Sequence, residues 1–341
     1  MSGQGTVLVT GGSGYIGGWC VIGLLQQGWT VRTTVRSLSR EGEVRASLGR
    51  VVDPGNRLSF HAADLMSDSG WDAAAEGCEY VLHVASPLGV AEPKDPNELI
   101  TPAREGAKRA IRAAIRAGAK RVVMTSSVAA TSKGVHSGDS VADETDWTDP
   151  TEKGVSAYSQ SKTLAERAAW ELIGAEGGAT TLATVNPALV LGPVLSRDFS
   201  ESVQVAERLL NGRVPGLPRL GFNIVDARDV ADLHIRAMTN PAAAGQRFIA
   251  AANHAWMADI AAIMRAELGA KANKVPTRKI PDFVLRLAGI FDKELASVTP
   301  GLGQKHDYSS QKAQSLLDWR PRSLRDTVLD CANSLIAQGV V

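Results

Sequence analysis

The segment VLVTGGSGYIGGW near the start of the chain constrains the fold more than any other stretch. It places Gly11, Gly14 and Gly17 between an apolar strand pattern and an apolar helix pattern, with the spacing G-x-x-G-x-x-G. Glycines in such a turn let the backbone approach a pyrophosphate, and the following helix N-terminus offers N–H groups and a positive dipole end. The segment therefore predicts a dinucleotide site on the first strand–helix unit of an α/β fold.

Short β-branched runs alternate with helical patterns through the first half of the chain. The sequence predicts strands at Thr6–Thr10, Thr30–Val35, Leu58–Ala62, Tyr80–Val84, Arg121–Thr125 and Thr180–Val185. The helices predicted between these strands are Ile16–Gln27, Trp71–Ala75, Pro102–Ala117 and Tyr158–Ile173. Units of this length are typical of a parallel, doubly wound sheet that is covered by helices on both faces.

The pattern changes after about residue 187, where Pro and Gly become frequent and helices mix with isolated strands. We predict a dinucleotide-binding domain at 1–187 and a smaller, mostly helical substrate-binding lobe at 188–341, over the carboxyl edge of the sheet. A strand pattern at 222–225, followed by a helix pattern, predicts a segment near 222–250 that returns to the main domain. The segment 271–308 carries the weakest pattern.

The composition argues against several classes of partner and ligand. A net charge of +1 over 341 residues gives no overall attraction to nucleic acid or to an anionic membrane. The three cysteines suggest no disulfide framework, and the six histidines show no ligand spacing, so we expect no metal. The sequence shows neither a signal-peptide pattern nor a membrane-length apolar run. We expect a cytoplasmic protein that is a monomer or a homodimer.

Three side chains predict a catalytic site. Tyr158 and Lys162 lie four residues apart in SAYSQSKTLAE, on one face of a predicted helix. A neighbouring positive charge favours the phenolate, which lets a tyrosine exchange protons at neutral pH. Ser127, in TSSVAA at the end of a predicted strand, would face the same crevice and hydrogen-bond a carbonyl oxygen on which charge develops. Together with the glycine loop, these residues predict redox chemistry on a carbonyl group.

The chain resembles the extended branch of the short-chain dehydrogenase/reductase superfamily, and within it the dihydroflavonol reductase and cinnamoyl-CoA reductase group, which includes ketone and aldehyde reductases. The resemblance is carried by TGGSGYIG, HVASP, DETDW, YSQSKTLAERAAWE and VNPALVLGP. It implies a Rossmann-type fold and NADPH-dependent reduction of a ketone or aldehyde to an alcohol. In that reaction Tyr158 would be the general acid, Ser127 would hold the oxygen, and Lys162 would tune Tyr158 and orient the nicotinamide ribose.

The resemblance also assigns residues to the two halves of the site. It implies a cofactor site formed by Gly11, Gly14, Tyr15, Ile16, Gly17, Arg36, Asp64, Leu65, Ala85, Tyr158, Lys162, Pro187, Leu189 and Ser202. It implies a substrate pocket lined by Ser86, Val128, Ala129, Ala188, Leu189 and Phe222. These pocket residues are mostly apolar and favour a small hydrophobic carbonyl substrate. Asp64 has a structural alternative, the capping of a turn, and Glu105 stands where relatives tend to have asparagine.

Arg36 ends the second predicted strand, 19 residues after Gly17. An acidic residue at this place binds the ribose hydroxyls of NAD, whereas a guanidinium can pair with the 2′-phosphate of NADPH and stack on the adenine. Arg36 also matches the cofactor-selecting arginine of the group. Ser37 can add a hydroxyl and Arg40 is a weaker helper, while Arg32 is expected along the sheet surface. This end of the site therefore predicts NADPH.

Other functions remain open on the same scaffold. A nucleotide-sugar epimerase or dehydratase, or a 3β-hydroxysteroid dehydrogenase, would share the triad, but the NAD-dependent sugar enzymes would favour an acid at position 36. A non-catalytic NADP(H)-sensing protein would typically lack Tyr158 or Lys162. The stretch VAATSKG offers only Thr131 and Ser132 where plant flavonoid enzymes place asparagine, which disfavours a flavonoid. TEKGVSAY stands where cinnamoyl-CoA reductases have a KNWYCY-like stretch, which disfavours CoA thioesters.

Overall fold

The computed structural model describes residues 4–87, 93–133, 140–290 and 299–341. Its strands are β1 (Thr6–Thr10), β2 (Thr30–Val35), β3 (Leu58–Ala62), β4 (Tyr80–His83), β5 (Arg121–Thr125), β6 (Ser140–Ala142), β7 (Thr181–Pro187), β8 (Leu189–Leu191), β9 (Gly221–Asp226), β10 (Gln246–Ala250), β11 (Asn253–Trp256) and β12 (His306–Tyr308). Seven of them form a parallel sheet in the order β3-β2-β1-β4-β5-β7-β10. The strand order reverses between β1 and β4, and ligands bind at such a switch point in open α/β sheets.

Helices cover both faces of this sheet. The helices of the described residues are α1 (Tyr15–Gln26), α2 (Glu41–Gly49), α3 (Trp71–Ala75), α4 (Asn97–Arg116), α5 (Ala157–Glu176), α6 (Gln204–Leu210), α7 (Ala227–Thr239), α8 (Met257–Leu268), α9 (Asp282–Ala288), α10 (Gln311–Leu317) and α11 (Leu324–Ala337). Alternate residues of β1 point to opposite faces: Val7 and Val9 join the core beneath α1 and α7, and Leu8 joins the core beneath α4 and α5. The predicted doubly wound parallel sheet is confirmed.

The largest difference between a predicted and an observed helix boundary is at the start of α4. The sequence predicts this helix, the third of the predicted ones, at Pro102–Ala117, and proline is compatible with a first helical turn. In the structure α4 begins at Asn97 and contains Pro102 within it. Ile100 and Ala103 on either side are buried, so tertiary packing extends the helix across a residue that would otherwise start it.

Two small sheets lie outside the central one. β9 pairs with β8 in parallel and with β11 in antiparallel orientation, and β6 pairs with β12. The strand predicted at 222–225 is therefore present as β9, but it does not enter the main sheet. The edge of that sheet beside β7 is occupied by β10, and helix α7 packs on α1. Within 222–250, the segment that reaches the main sheet is thus α7 and β10.

Acidification is expected to destabilise the fold through two buried histidines. Burial, reinforced at His83 by the Lys162 cation, lowers the pKa of His83 and of His234 from 6.5 to about 4. The unfolded chain therefore binds more protons between these values, so stability is complete above about pH 6.5 and is lost towards about pH 4, by up to about 3 kcal/mol per histidine. The free energy of unfolding from urea titrations across this pH range measures the effect.

A variant of His234 separates its share of this pH dependence. His234 bonds Thr125 Oγ1 at 2.7 Å and the Val230 carbonyl at 2.8 Å, and His234→Gln keeps an amide of similar shape without the titration. The variant should lose the part of the decrease in stability on acidification that His234 contributes. An identical decrease in both proteins would contradict the assignment.

Candidate active site

The glycine loop has the geometry of a pyrophosphate cradle. Gly11 has a φ of +71°, and a Cβ on Gly17 would lie 2.2 Å from the Gly11 carbonyl oxygen, so the approach of α1 to the loop requires glycine. Within the described chain, α1 has no side-chain cap at Gly14 and no acidic residue in its first turn. Its N-terminal N–H groups are therefore available to an anion, and the loop fits the diphosphate of a dinucleotide.

Adding one methyl group where α1 approaches this loop should impair cofactor binding. In Gly17→Ala the new Cβ collides with backbone, so α1 must move away from the loop, at about 1–3 kcal/mol of stability. We expect NADPH affinity to fall by about tenfold or more, because the cradle and the helix N–H groups no longer converge. Fluorescence titration with NADPH and thermal unfolding measure the two effects.

Gly174→Ala is the matched control for this variant. Gly174 lies in α5, and an added Cβ there meets no atom within 4 Å among the described residues. Alanine in an exposed helix should be neutral or stabilising by about 1 kcal/mol. Equal NADPH affinity in both variants would show that the close approach at Gly17 does not matter for binding.

Arg36 lies at the end of the site that is predicted to bind the adenosine. It is exposed at the carboxyl end of β2, and it forms no ion pair with any of the described residues. Arg40, by contrast, pairs with Glu43 and with Asp198, and Arg32 donates to carbonyls at the end of α3. Of these arginines, Arg36 is therefore the one whose guanidinium is available to a phosphate within the described chain.

Asp64 and Leu65 follow β3, the strand beside β2. The Asp64 carboxylate accepts a hydrogen bond from the Met66 N–H at 2.7 Å, so the turn-capping alternative describes a contact that is present. Leu65 packs against Gly106 of α4, where a Cβ would lie 2.5 Å from the leucine. Both residues lie at the same sheet edge as Arg36, because Val35 pairs with Ala62. Their contact with the adenine stays a prediction.

The predicted triad lies at the carboxyl ends of β4 and β5. Ser127 is buried just after β5, and its Oγ accepts from the Ala129 N–H at 3.1 Å. Tyr158 is in the first turn of α5 and is 38% exposed, whereas Lys162, one turn later, is buried. The Lys162 Nζ lies 5.6 Å from the Tyr158 ring centroid and donates to Ser86 Oγ at 2.9 Å. The 3-10 turn after Ser127 packs on α5, the helix that carries Tyr158 and Lys162.

Two of the residues that are predicted to contact the cofactor, Tyr15 and Ala85, form hydrogen bonds to other parts of the protein. The Tyr15 hydroxyl donates to the Gly192 carbonyl at 2.7 Å, and Ile16 is half-buried beside it. The Ala85 N–H bonds Thr10 Oγ1 at 3.0 Å, and Ala85 lies against Gly11. The Ala85 contacts join the segment after β4 to the turn after β1, across the switch point, and the Tyr15 contact joins α1 to the residue that follows β8.

The predicted pocket residues come from four places in the fold, the first of which is Ser86, after β4. Val128 and Ala129 form a short 3-10 turn after β5, Ala188 and Leu189 connect β7 to β8, and Phe222 lies on β9. All are half-buried, and β8 pairs with β9, so Leu189 and Phe222 lie on adjacent strands. No described contact shows that they line one cavity, so the pocket stays a prediction.

The remaining predicted residues are placed as follows. Pro187 is buried at the end of β7, and Ser202 lies in a 3-10 turn with its Oγ 3.3 Å from Ser200 Oγ. Glu105 pairs with Arg104 and Lys108 on the surface of α4, and no triad residue is among its described partners. The described residues form no cluster of three or more His, Cys, Asp or Glu side chains that could hold a metal ion. None of the described helices has the length and apolarity needed to span a membrane.

Two buried charges in this region were missed by the sequence interpretation. Glu166 is fully buried in α5 and pairs with the buried Arg247 of β10 at 2.8 Å. One signal was available, since Glu166 extends the four-residue series of Tyr158 and Lys162 along one helix face. Arg247 gives no local signal beyond a charge inside the apolar strand QRFIA.

A dinucleotide cradle at the switch point of a parallel sheet, with a Tyr–Lys pair and a serine at the same edge, defines a Rossmann-type dinucleotide enzyme. A model of the NAD dependent epimerase/dehydratase family matches residues 7–251. The chain belongs to this family, the extended short-chain dehydrogenases/reductases.

Two plant reductases are among the relatives of this chain. The chain is similar to dihydroflavonol 4-reductase of Zea mays, with 34% identity over 332 residues, which covers 95% of this chain and 86% of the relative. It is also similar to cinnamoyl-CoA reductase CAD2 of Medicago truncatula, with 37% identity over 246 residues, covering 70% and 74%. The predicted family and oxidoreductase class are confirmed.

Solved structures share the fold. Yeast methylglyoxal/isovaleraldehyde reductase Gre2, solved in complex with NADPH, has a TM-score of 0.82 and 24% identity, over 98% of this chain and 100% of that one. Vestitone reductase from alfalfa has a TM-score of 0.76 and 24% identity, over 99% and 100%. At these identities the similarity supports the architecture of the whole chain.

Proposed function

We propose that the protein is an NADPH-dependent carbonyl reductase that converts a small hydrophobic ketone or aldehyde into an alcohol. The observation that carries the proposal is the placement of Ser127, Tyr158 and Lys162 at the sheet edge beside the glycine cradle. The nicotinamide, when bound, supplies the hydride. The protein must then bind the carbonyl, orient it and deliver one proton to its oxygen.

Each triad residue has a role that its surroundings support. Tyr158 is exposed enough to reach a substrate, so its hydroxyl donates the proton to the carbonyl oxygen. Ser127 hydrogen-bonds the same oxygen and stabilises the charge that develops on it. Lys162 holds a positive charge 5.6 Å from the centroid of the Tyr158 ring. Its Nζ donates to Ser86 Oγ at 2.9 Å in this structure, and it would donate to the nicotinamide ribose hydroxyls when the cofactor is bound.

NADPH is preferred to NADH in this proposal because of the available guanidinium of Arg36. A bidentate pair with the 2′-phosphate adds charge-assisted hydrogen bonds that NADH cannot form. The NADPH complexes of the Gre2 reductases from yeast and Candida albicans support this choice of cofactor.

The substrate class follows from the apolar side chains expected around the triad. Of the two polar candidates after the serine, Thr131 is fully buried and bonded to Asn186 and Arg247, so its hydroxyl does not face a substrate. Val128, Ala129 and Leu189 are apolar and half-buried near the catalytic segment. This favours an alkyl or aryl carbonyl over a polyhydroxylated ligand.

The test is NADPH oxidation, followed at the nicotinamide absorbance, with a panel of aliphatic and aromatic ketones and aldehydes. Turnover with several hydrophobic carbonyls supports the proposal, and chiral analysis of the alcohol defines the face that is attacked. Binding of NADPH without reduction of any carbonyl in the panel would refute it and favour a cofactor-sensing protein. Interconversion of nucleotide sugars without net oxidation of NADPH would favour an epimerase.

A further inference from the structure

A buried polar network lies directly behind the triad. Glu166 Oε1 accepts from Thr184 Oγ1 and from Arg247 Nε, each at 2.8 Å. Its Oε2 accepts from Ser126 Oγ at 2.6 Å and from Asn186 Nδ2 at 2.9 Å. All four acceptor positions of the carboxylate are therefore used, and the side chain has no solvent-exposed surface.

Arg247 extends the network to the loop before α5. Its Nη1 donates to the carbonyls of Glu144 and Asp146, both at 2.8 Å, and its Nη2 donates to the Ala130 carbonyl and to Thr131 Oγ1. The guanidinium also lies 3.7 Å from the centroid of the Trp147 ring. All the donors of the guanidinium are thus engaged by residues 130–131 and 144–147 and by Glu166.

The network forms hydrogen bonds to Ser126 and to the backbone of Ser127. Glu166 binds the hydroxyl of Ser126, and Asn186, which also binds Glu166, donates to the Ser127 carbonyl at 3.2 Å. Glu166 itself lies one helical turn beyond Lys162 on α5. One carboxylate therefore ties the backbone around Ser127 to the helix that carries Tyr158 and Lys162.

Stability alone does not explain such a pair. Taking two charges out of water is unfavourable, and replacing a buried ion pair by apolar side chains of similar volume is often neutral or stabilising. A fully satisfied polar network does, however, specify one arrangement of the elements that it joins. Here those elements are the serine segment, the catalytic helix and the loop 143–147.

We propose that Glu166 and Arg247 are positioning residues of the reductase, which fix Ser127 relative to Tyr158 and Lys162. The inference rests on the proposed function, because it assigns these two residues to the same reaction. A displacement of about 1 Å in a catalytic arrangement can lower turnover by about a hundredfold. The network should therefore affect kcat far more than it affects NADPH binding, since the cradle and Arg36 lie at the other half of the site.

The test compares wild type with the double variant Glu166→Met/Arg247→Met, which removes both charges and keeps the volume. We expect kcat, normalised to the NADPH-binding sites counted by titration, to fall by about a hundredfold, with the NADPH dissociation constant changed by less than about threefold. Hydrogen exchange of the amides in 126–131 and 143–148 should accelerate. A merely structural role would lower the number of binding sites and leave kcat per site unchanged.

Arg112→Met/Glu176→Met is the matched control. This pair also joins α5 to a neighbour, α4, but it lies on the surface with both side chains 45% exposed. It should leave kcat per site and the exchange of both segments unchanged. If the buried double variant does not fold, Arg247→Lys replaces it in the test. This variant keeps the positive charge but loses the planar guanidinium with its several donors, so kcat per site should fall by about tenfold.

The outcomes separate the two proposals. Unchanged kcat per site in the folded Glu166/Arg247 variant, or in Arg247→Lys, overturns the positioning role while leaving the reductase function intact. If wild type reduces no carbonyl, the proposed function fails, and the exchange measurement still decides whether the pair fixes the Ser127 segment. Unchanged exchange in both segments overturns the inference in either case.

Discussion

Tyr158→Phe is expected to reduce carbonyl turnover by about 10²- to 10⁴-fold, the range that a positioned general acid contributes. The variant removes the phenolic oxygen and keeps the aromatic ring in its place on α5. Lys162 and Ser127 would remain, so the carbonyl would still be bound, but no side chain would deliver the proton. NADPH binding should change little, because the glycine cradle and Arg36 are untouched.

The chain provides a close control for this variant. Tyr80 begins β4, contacts Trp29 edge-on, and has the Lys120 ammonium 5.9 Å from its ring, so it is a second Tyr–Lys pair away from the site. Tyr80→Phe should keep full turnover. A Tyr158→Phe protein that reduces carbonyls at the wild-type rate, with NADPH still bound, would refute the general-acid role even if the activity itself were established.

The parts of the site that follow strand ends were predictable from the sequence. In a parallel sheet, whatever follows each strand lies at one edge, so Gly11, Ser127 and the segment at Asp64 could be placed together from strand patterns alone. The Tyr158–Lys162 pair was predictable because a four-residue spacing fixes one face of a helix. Local periodicity was sufficient for these residues.

Contacts that depend on packing were not predictable in the same way. β10 pairs with β7 at an edge of the main sheet, and β9 lies in a separate sheet. Which strand joins the main sheet depends on which edge is free, and the local sequence pattern of a strand does not predict it. The pairing of Arg247 with Glu166 follows from that topology, since β10 brings the arginine to the catalytic helix across a separation of 81 residues. Both side chains are charged and buried, whereas charged residues are mostly exposed in proteins. The sequence alone therefore gives no reason to place these two in the core.

Arg36→Asp is expected to reverse the preference of the enzyme between its two possible cofactors. Loss of the charge-assisted hydrogen bonds to the 2′-phosphate should weaken NADPH binding by about 10- to 100-fold, and the new carboxylate would repel that phosphate. The same carboxylate could accept hydrogen bonds from the 2′- and 3′-hydroxyls of NADH, so NADH binding should improve. The ratio of kcat/KM for the two cofactors, with one carbonyl substrate, measures the change.

Arg32→Gln tests whether this effect belongs to Arg36 or to positive charge on β2 in general. Arg32 is on the same strand, but its guanidinium donates to the carbonyls of Ala73, Ala74 and Glu76 at the end of α3. Its removal should lower stability and leave the cofactor ratio unchanged. An unchanged ratio in Arg36→Asp, or an equal change in both variants, would refute a specific 2′-phosphate contact. A reversal confined to Arg36 would assign NADPH selection to a side chain that the rest of the described protein leaves unpaired.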